Sequence, residues 1–188
     1  MRLYAALLPP ASLCEEASRV VHAALDRPET LAVRPPAAMR LHLTNFGNVA
    51  HADALALRRA LAREAVSWPR PKLQLAGAAA LESPGDVSVW SRVEGDVDEL
   101  YTLARGIPSV VQRLGFLVDR RAFRPWVALG DITASTTGPA LERVYAAVDA
   151  HRSEPWVVDE LSVIRPRRME DGEVEQWLDV IDRIPLGG

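Results

Sequence analysis

The chain has 188 residues, 48% of them hydrophobic and 25% charged, a globular composition that excludes disorder as the main state. A net charge of -3 provides no general basic field for a nucleic-acid backbone, so any polyanion must be gripped by a local cluster. The single cysteine, Cys14, excludes an internal disulfide and a cysteine-rich zinc site, and points to a reducing compartment.

Leu3 to Leu8 is a short apolar run closed by Pro9-Pro10 and reads as a buried strand. It is too short for a signal-peptide core, and no apolar run approaches the ~20 residues of a membrane span. A cytoplasmic protein with no membrane partner is the expectation. Ser12 and Glu15 predict a capping box, followed by a helix ending at Arg27-Pro28. Pro28, Pro35 and Pro36 mark residues 28–38 as a loop. Arg40 to Phe46 alternates as a half-buried strand, and Gly47-Asn48 is expected to turn the chain. A second helix is predicted over Ala52 to Ser67. Strands follow at Lys72 to Leu81 and Val87 to Val93, joined by the turn cluster Ser83-Pro84-Gly85-Asp86.

Asp96 and Glu99 predict a second capping box. Gly106 and Pro108 are expected to split the third helix into two pieces. Phe123 to Ile132 reads as a strand. Thr136 or Thr137 is expected to cap a fourth helix reaching His151. Trp156 to Arg165 and Gln176 to Ile184 close the chain as strands. The sum is about seven strands and four helices. Because hairpins interrupt the strand–helix alternation, the class is α+β within a single domain, residues 1–188.

Four histidines are candidates for chemistry. His22 and His151 are expected to face solvent, and His51 opens a helix. No histidine–carboxylate spacing suits a metal, so neither metal nor cofactor is expected. In Arg40-Leu41-His42-Leu43-Thr44, the strand period of two puts Arg40, His42 and Thr44 on one face. An imidazole transfers protons near neutral pH, while a hydroxyl and a guanidinium hold phosphate oxygens. The plain alternative is a strand with a polar outer face. Arg124-Pro125-Trp126-Val127-Ala128 repeats the pattern, with Arg124, Trp126 and Ala128 outward. The shared register suggests two lobes related by a pseudo-twofold axis, with a cleft between them. Arg40 and Arg124 could clamp a phosphate against which Trp126 stacks, or Trp126 could plug a disused cleft. Arg120 and Arg121 flank the second segment. Arg167 and Arg168 read as a solvated turn.

These segments carry a resemblance. Leu3 to Pro10, His42-Leu43-Thr44, Val87 to Val93, Arg120-Arg121-Ala122-Phe123-Arg124-Pro125 and the closing strands run in the order found in the two-histidine (2H) phosphoesterase superfamily. Within it, the chain resembles the bacterial 2′-5′ RNA ligase-like proteins, also called RNA 2′,3′-cyclic phosphodiesterases. The resemblance implies two pseudo-symmetric lobes of antiparallel sheet with helices outside. It also implies two H-x-T motifs facing each other across a central cleft. One His acts as general base and the other as general acid on a cyclic phosphate, the Thr hydroxyls hold that phosphate, and no metal or cofactor is needed.

By the same resemblance His42 and Thr44 are the catalytic pair, while strand parity makes Arg40, Arg124 and Trp126 the expected substrate-binding residues. The expected ligand is a nucleotide or RNA end bearing a phosphate, and a monomer is expected. Trp126 stands where the second His belongs and Ala128 where the second Thr belongs. Losing one proton-transfer group is worth ~10²–10⁴ in rate. The expected function is therefore an impaired or altered cyclic phosphodiesterase. The alternatives are an inactive phosphate-ligand-binding module and a pocket repurposed for other chemistry.

Overall fold

The apolar run after Arg2 forms β1 (Arg2–Leu7), every residue of which beyond Arg2 is buried. Such a strand needs neighbours on both edges, and it has them: β3 (Leu41–Asn48) on one side and β8 (Glu160–Arg165) on the other. The computed structural model describes residues 1–79, 87–116, 122–166 and 176–187. The Ser83-Pro84-Gly85-Asp86 turn and Arg120, Arg121, Arg167 and Arg168 lie outside the described residues.

The remaining strands are β2 (Leu31–Val33), β4 (Lys72–Ala78), β5 (Ser88–Gly95), β6 (Trp126–Ile132), β7 (Trp156–Val157) and β9 (Asp179–Pro185). The described strands form one sheet in the order β7-β4-β5-β6-β3-β1-β8-β9, with β2 also paired to β6. Every pairing is antiparallel. The helices are α1 (Ala11–Ala24), α2 (His51–Ala65), α3 (Val97–Arg113) and α4 (Gly138–Ala150). α1 and α4 pack on the β4–β6 half, and α2 and α3 on the β3–β9 half. This is the expected α+β architecture with helices outside two related halves. Between its central strands, β3 and β6, the sheet is joined at one residue pair, Leu41 opposite Val127. Both of these side chains are fully buried in the core under the helices.

Several local expectations are corrected. Residues 28–38 are not simply a loop: between two short 3₁₀ turns they hold β2, which pairs with β6 from Leu31–Ile132 to Val33–Gly130. Neither capping box forms. α1 starts two residues earlier, with Pro10 as its cap, which leaves Ser12 inside the first turn. The Asp96 carboxylate instead accepts the Lys72 backbone N–H at 2.9 Å, tying α3 to β4. Thr137 precedes α4 without a side-chain capping bond, and the Thr136 hydroxyl accepts the Thr133 N–H at 2.8 Å. Gly47-Asn48 does not turn the chain, because β3 runs on through Asn48.

α3 is one helix despite Gly106 and Pro108. Pro108 forfeits only the bond to the carbonyl four residues before it. A buried stripe of Leu100, Leu103, Ala104, Ile107, Val110 and Val111 holds the helix to the sheet. His151 does not face solvent. Its side chain is 8% exposed and its Nε2 lies 2.9 Å from Glu16 Oε1, which links the end of α4 to α1.

Candidate active site

β3 presents His42 to solvent between buried Leu41 and Leu43. Its partner on β1 is Ala6, and Ala6 shares a small apolar cluster with Tyr4 and Ile164 on the face away from the main core. That face is the cleft. His42 lines a cavity of about 410 Å³ with Tyr4, Arg40, Asn45, Arg2 and Pro166. The Tyr4 and His42 rings are 5.1 Å apart, and the Arg40 guanidinium lies over the Tyr4 ring at 5.2 Å. Arg40 Nη1 also donates to the Ala38 carbonyl at 3.0 Å. An imidazole, a phenol, an amide and guanidinium groups therefore share one pocket.

Thr44 is not in that pocket. Ala5 pairs with Thr44 and the next residue, Ala6, pairs with His42, which leaves Leu43 as an extra residue in β3. A bulge of this kind interrupts strict alternation. Ala5 belongs to the main core, so Thr44 is turned to that side, where it is buried. It lines a separate cavity of about 400 Å³ with Tyr101, Ala104, Arg105, Pro108 and Phe123. The residue that does share the face of His42 is Asn45, opposite Tyr4. Simple period-two counting from His42 passes over it.

The same face of the sheet continues from β3 onto β6 and β5. Trp126 pairs with Arg92 and Ala128 with Trp90, while the intervening Val127 is in the core. Trp126 and Ala128 thus lie on the face of β6 opposite Val127 and the core. Since Leu41 opposes Val127, His42 and Trp126 flank that pair from the two strands. The Trp90 and Trp126 rings are 6.3 Å apart and tilted, and the Arg124 guanidinium sits 4.9 Å over Trp126. Arg124 lies before the start of β6 and is exposed, so its position is set by this stacking and not by strand parity. Trp90 had no motif to mark it in the sequence.

The two halves share a further detail. β6 carries its own extra residue, Leu129, because Val89 pairs with Gly130 and Trp90 with Ala128. Counted from the two bulges, His42 corresponds to Ala128 and Asn45 to Asp131. This is offset by two from the repeat read in the sequence. By either count the counterpart of His42, Trp126 or Ala128, cannot titrate near neutral pH. Asp131 is held by Arg34, whose Nη2 donates to both carboxylate oxygens at 3.0 and 2.9 Å, and by the Ser88 hydroxyl at 2.5 Å. Among the described residues no group of three or more His, Cys, Asp or Glu is placed to hold a metal ion, and no helix is long and apolar enough to cross a membrane.

No family model matches the chain, and no curated protein does. Solved structures do match over its full length. TT0787 of Thermus thermophilus superposes with a TM-score of 0.76 at 18% identity, covering 100% of this chain and 99% of its own. Escherichia coli LigT in complex with 3′-AMP gives 0.71 at 19% identity, covering 98% and 97%. A protein described as a phosphoesterase gives 0.69 at 20% identity, covering 100% and 98%. With its curled antiparallel sheet, outer helices and paired central strands, the chain has the fold of the 2H phosphoesterase superfamily.

Proposed function

We propose that the cleft binds a phosphate-bearing nucleotide or RNA end and hydrolyses 2′,3′-cyclic phosphates far more slowly than a two-histidine enzyme does. The observation that carries this reading is the asymmetry of the walls. One offers His42 beside Arg40 and Tyr4, and the other offers Trp126, Trp90 and Ala128. Opening a cyclic phosphate by water needs one group to take the proton of the attacking water and another to protonate the leaving ribose oxygen. His42 can serve one of these roles in a given step. An indole N–H donates a hydrogen bond but does not release its proton at neutral pH. Arg40 supplies positive charge for the phosphate on the His42 side. LigT of the same fold has been crystallised with 3′-AMP, ATP, NADP+ and phosphate, which supports a ligand of this class.

The test measures turnover of 2′,3′-cyclic AMP and binding of 3′-AMP by the wild type, Trp126→Ala, and the double variant Trp126→His with Ala128→Thr. Both substituted positions lie on the face of β6 opposite buried Val127, so an added imidazole and hydroxyl would project from one side of the strand. The expected outcome is 3′-AMP binding by the wild type, with turnover at least ~10²-fold below that of a two-histidine member. The double variant should be faster than Trp126→Ala. Wild-type turnover equal to that of a two-histidine enzyme would refute impairment.

A binding module without catalysis is the second reading. It is favoured by the Arg124–Trp126–Trp90 stack, a surface suited to a nucleobase. A double variant that stays silent while 3′-AMP still binds would select it.

A further inference from the structure

We infer that Asn45, not the motif residue Thr44, is the polar side chain that holds the ligand's phosphate beside His42; this rests on the phosphate-binding reading above. The argument is one of register. Three residues of β3, from His42 to Asn45, span the length that two residues of β1, from Ala6 to Tyr4, span. That puts Asn45 about 7 Å along the strand from His42, the ordinary spacing of next neighbours on one face of a sheet. Asn45 and His42 line the same cavity with Arg40 and Tyr4, whereas Thr44 lines the cavity against α3. An amide N–H₂ offers a phosphate two donors, where a threonine hydroxyl offers one.

The other half of the sheet differs at the corresponding position. The counterpart of Asn45 there, counted from the bulge, is Asp131. Its carboxylate, paired with Arg34 and bonded by Ser88, is an acceptor and offers a phosphate no donor where the Asn45 amide does. The anion therefore sits on the β3 side, and the aromatic wall of Trp126 and Trp90 is left for the organic part of the ligand.

The test titrates 3′-AMP and, separately, inorganic phosphate into the wild type, Asn45→Ala, Asn45→Asp and Thr44→Val, with thermal melts on each protein. Losing a hydrogen bond to a charged group corresponds to a loss of about tenfold or more. Asn45→Ala should lose at least that much affinity for both probes. Asn45→Asp, similar in shape but anionic, should lose more. Thr44→Val, which keeps the shape and loses the hydroxyl, should stay within about twofold, because its side chain lines the other cavity, against α3. Asn45→Asp guards against a packing artefact: binding equal to wild type in a folded Asn45→Asp would overturn the inference, as would a large loss in Thr44→Val with Asn45→Ala unaffected. In either case the wild type still binds and the phosphate-binding reading stands. A wild type that binds neither probe would overturn both.

Discussion

Cys14 shows how burial alone sets a residue's chemistry. It is 1% exposed on α1, and its Sγ points to the Pro9 carbonyl at 3.8 Å. Desolvation, with a smaller contribution from nearby Glu15, pushes the thiol up from about 9 to about 11. An acid whose folded pKa is raised favours the folded state below its unfolded pKa, and that contribution is lost as pH rises through the folded value. Stability should therefore decline from about pH 9 towards pH 11, by at most roughly 2–3 kcal/mol from this group. Urea titrations at pH 7.5, 9 and 10.5 on wild type and Cys14→Ala would show it, with a flatter alkaline limb in the variant. A variant with an equally steep decline would assign the loss to other groups. At this scale His42 was legible, because it sits between two leucines in a strand. Its true neighbour Asn45 was not, because no local pattern marks an extra residue in β3.

Among the elements, α3 is the clearest case of packing overriding propensity. Gly106 lies against Trp68: a Cβ at this position would stand 2.7 Å from the indole Nε1 and 3.0 Å from Cε2. Trp68 is itself buried, 7% exposed, and has little room to yield. Gly106→Ala gains ~1 kcal/mol of helix propensity. Overpacking of a buried ring costs typically 1–3 kcal/mol, so we expect net destabilisation. Chemical denaturation of the variant decides the sign, and a more stable Gly106→Ala would mean the indole moves freely. The glycine is therefore a contact residue and not a helix break, although in the sequence the two roles look alike. The capping boxes misled for a related reason. A carboxylate at a helix start can serve another strand, as Asp96 serves Lys72.

For the whole molecule, the junction of the halves is the critical feature. Between the central strands one pair, Leu41 and Val127, joins the sheet, next to His42 of the cavity. The helices interlock the halves: α1 follows β1 but packs on the β4–β6 half, and α3 follows β5 but packs on the β3 half. Leu41→Ala should cost about 2–5 kcal/mol, as for other fully buried leucines. Because each half carries a helix that leaves a strand of the other, unfolding should stay a single transition. Circular dichroism and tryptophan fluorescence should give the same midpoint before and after the change. Separate midpoints would show that the halves unfold independently.

The strand–helix order, the antiparallel α+β class and the placing of His42, Trp126 and Ala128 on the face of their strands opposite buried Leu41 and Val127 could be read from the sequence, because each follows from short-range hydrophobic periodicity. Short-range periodicity cannot report which strands become neighbours or where a strand gains a residue. Those depend on partners far along the chain, such as β1 with β3 and β5 with β6. The tertiary structure alone therefore decided that β2 joins the sheet and that His151 is paired. It also decided that Thr44 faces α3 and that Asn45 stands beside His42, because a one-residue bulge in a long-range pairing exchanges which side chains reach the cleft.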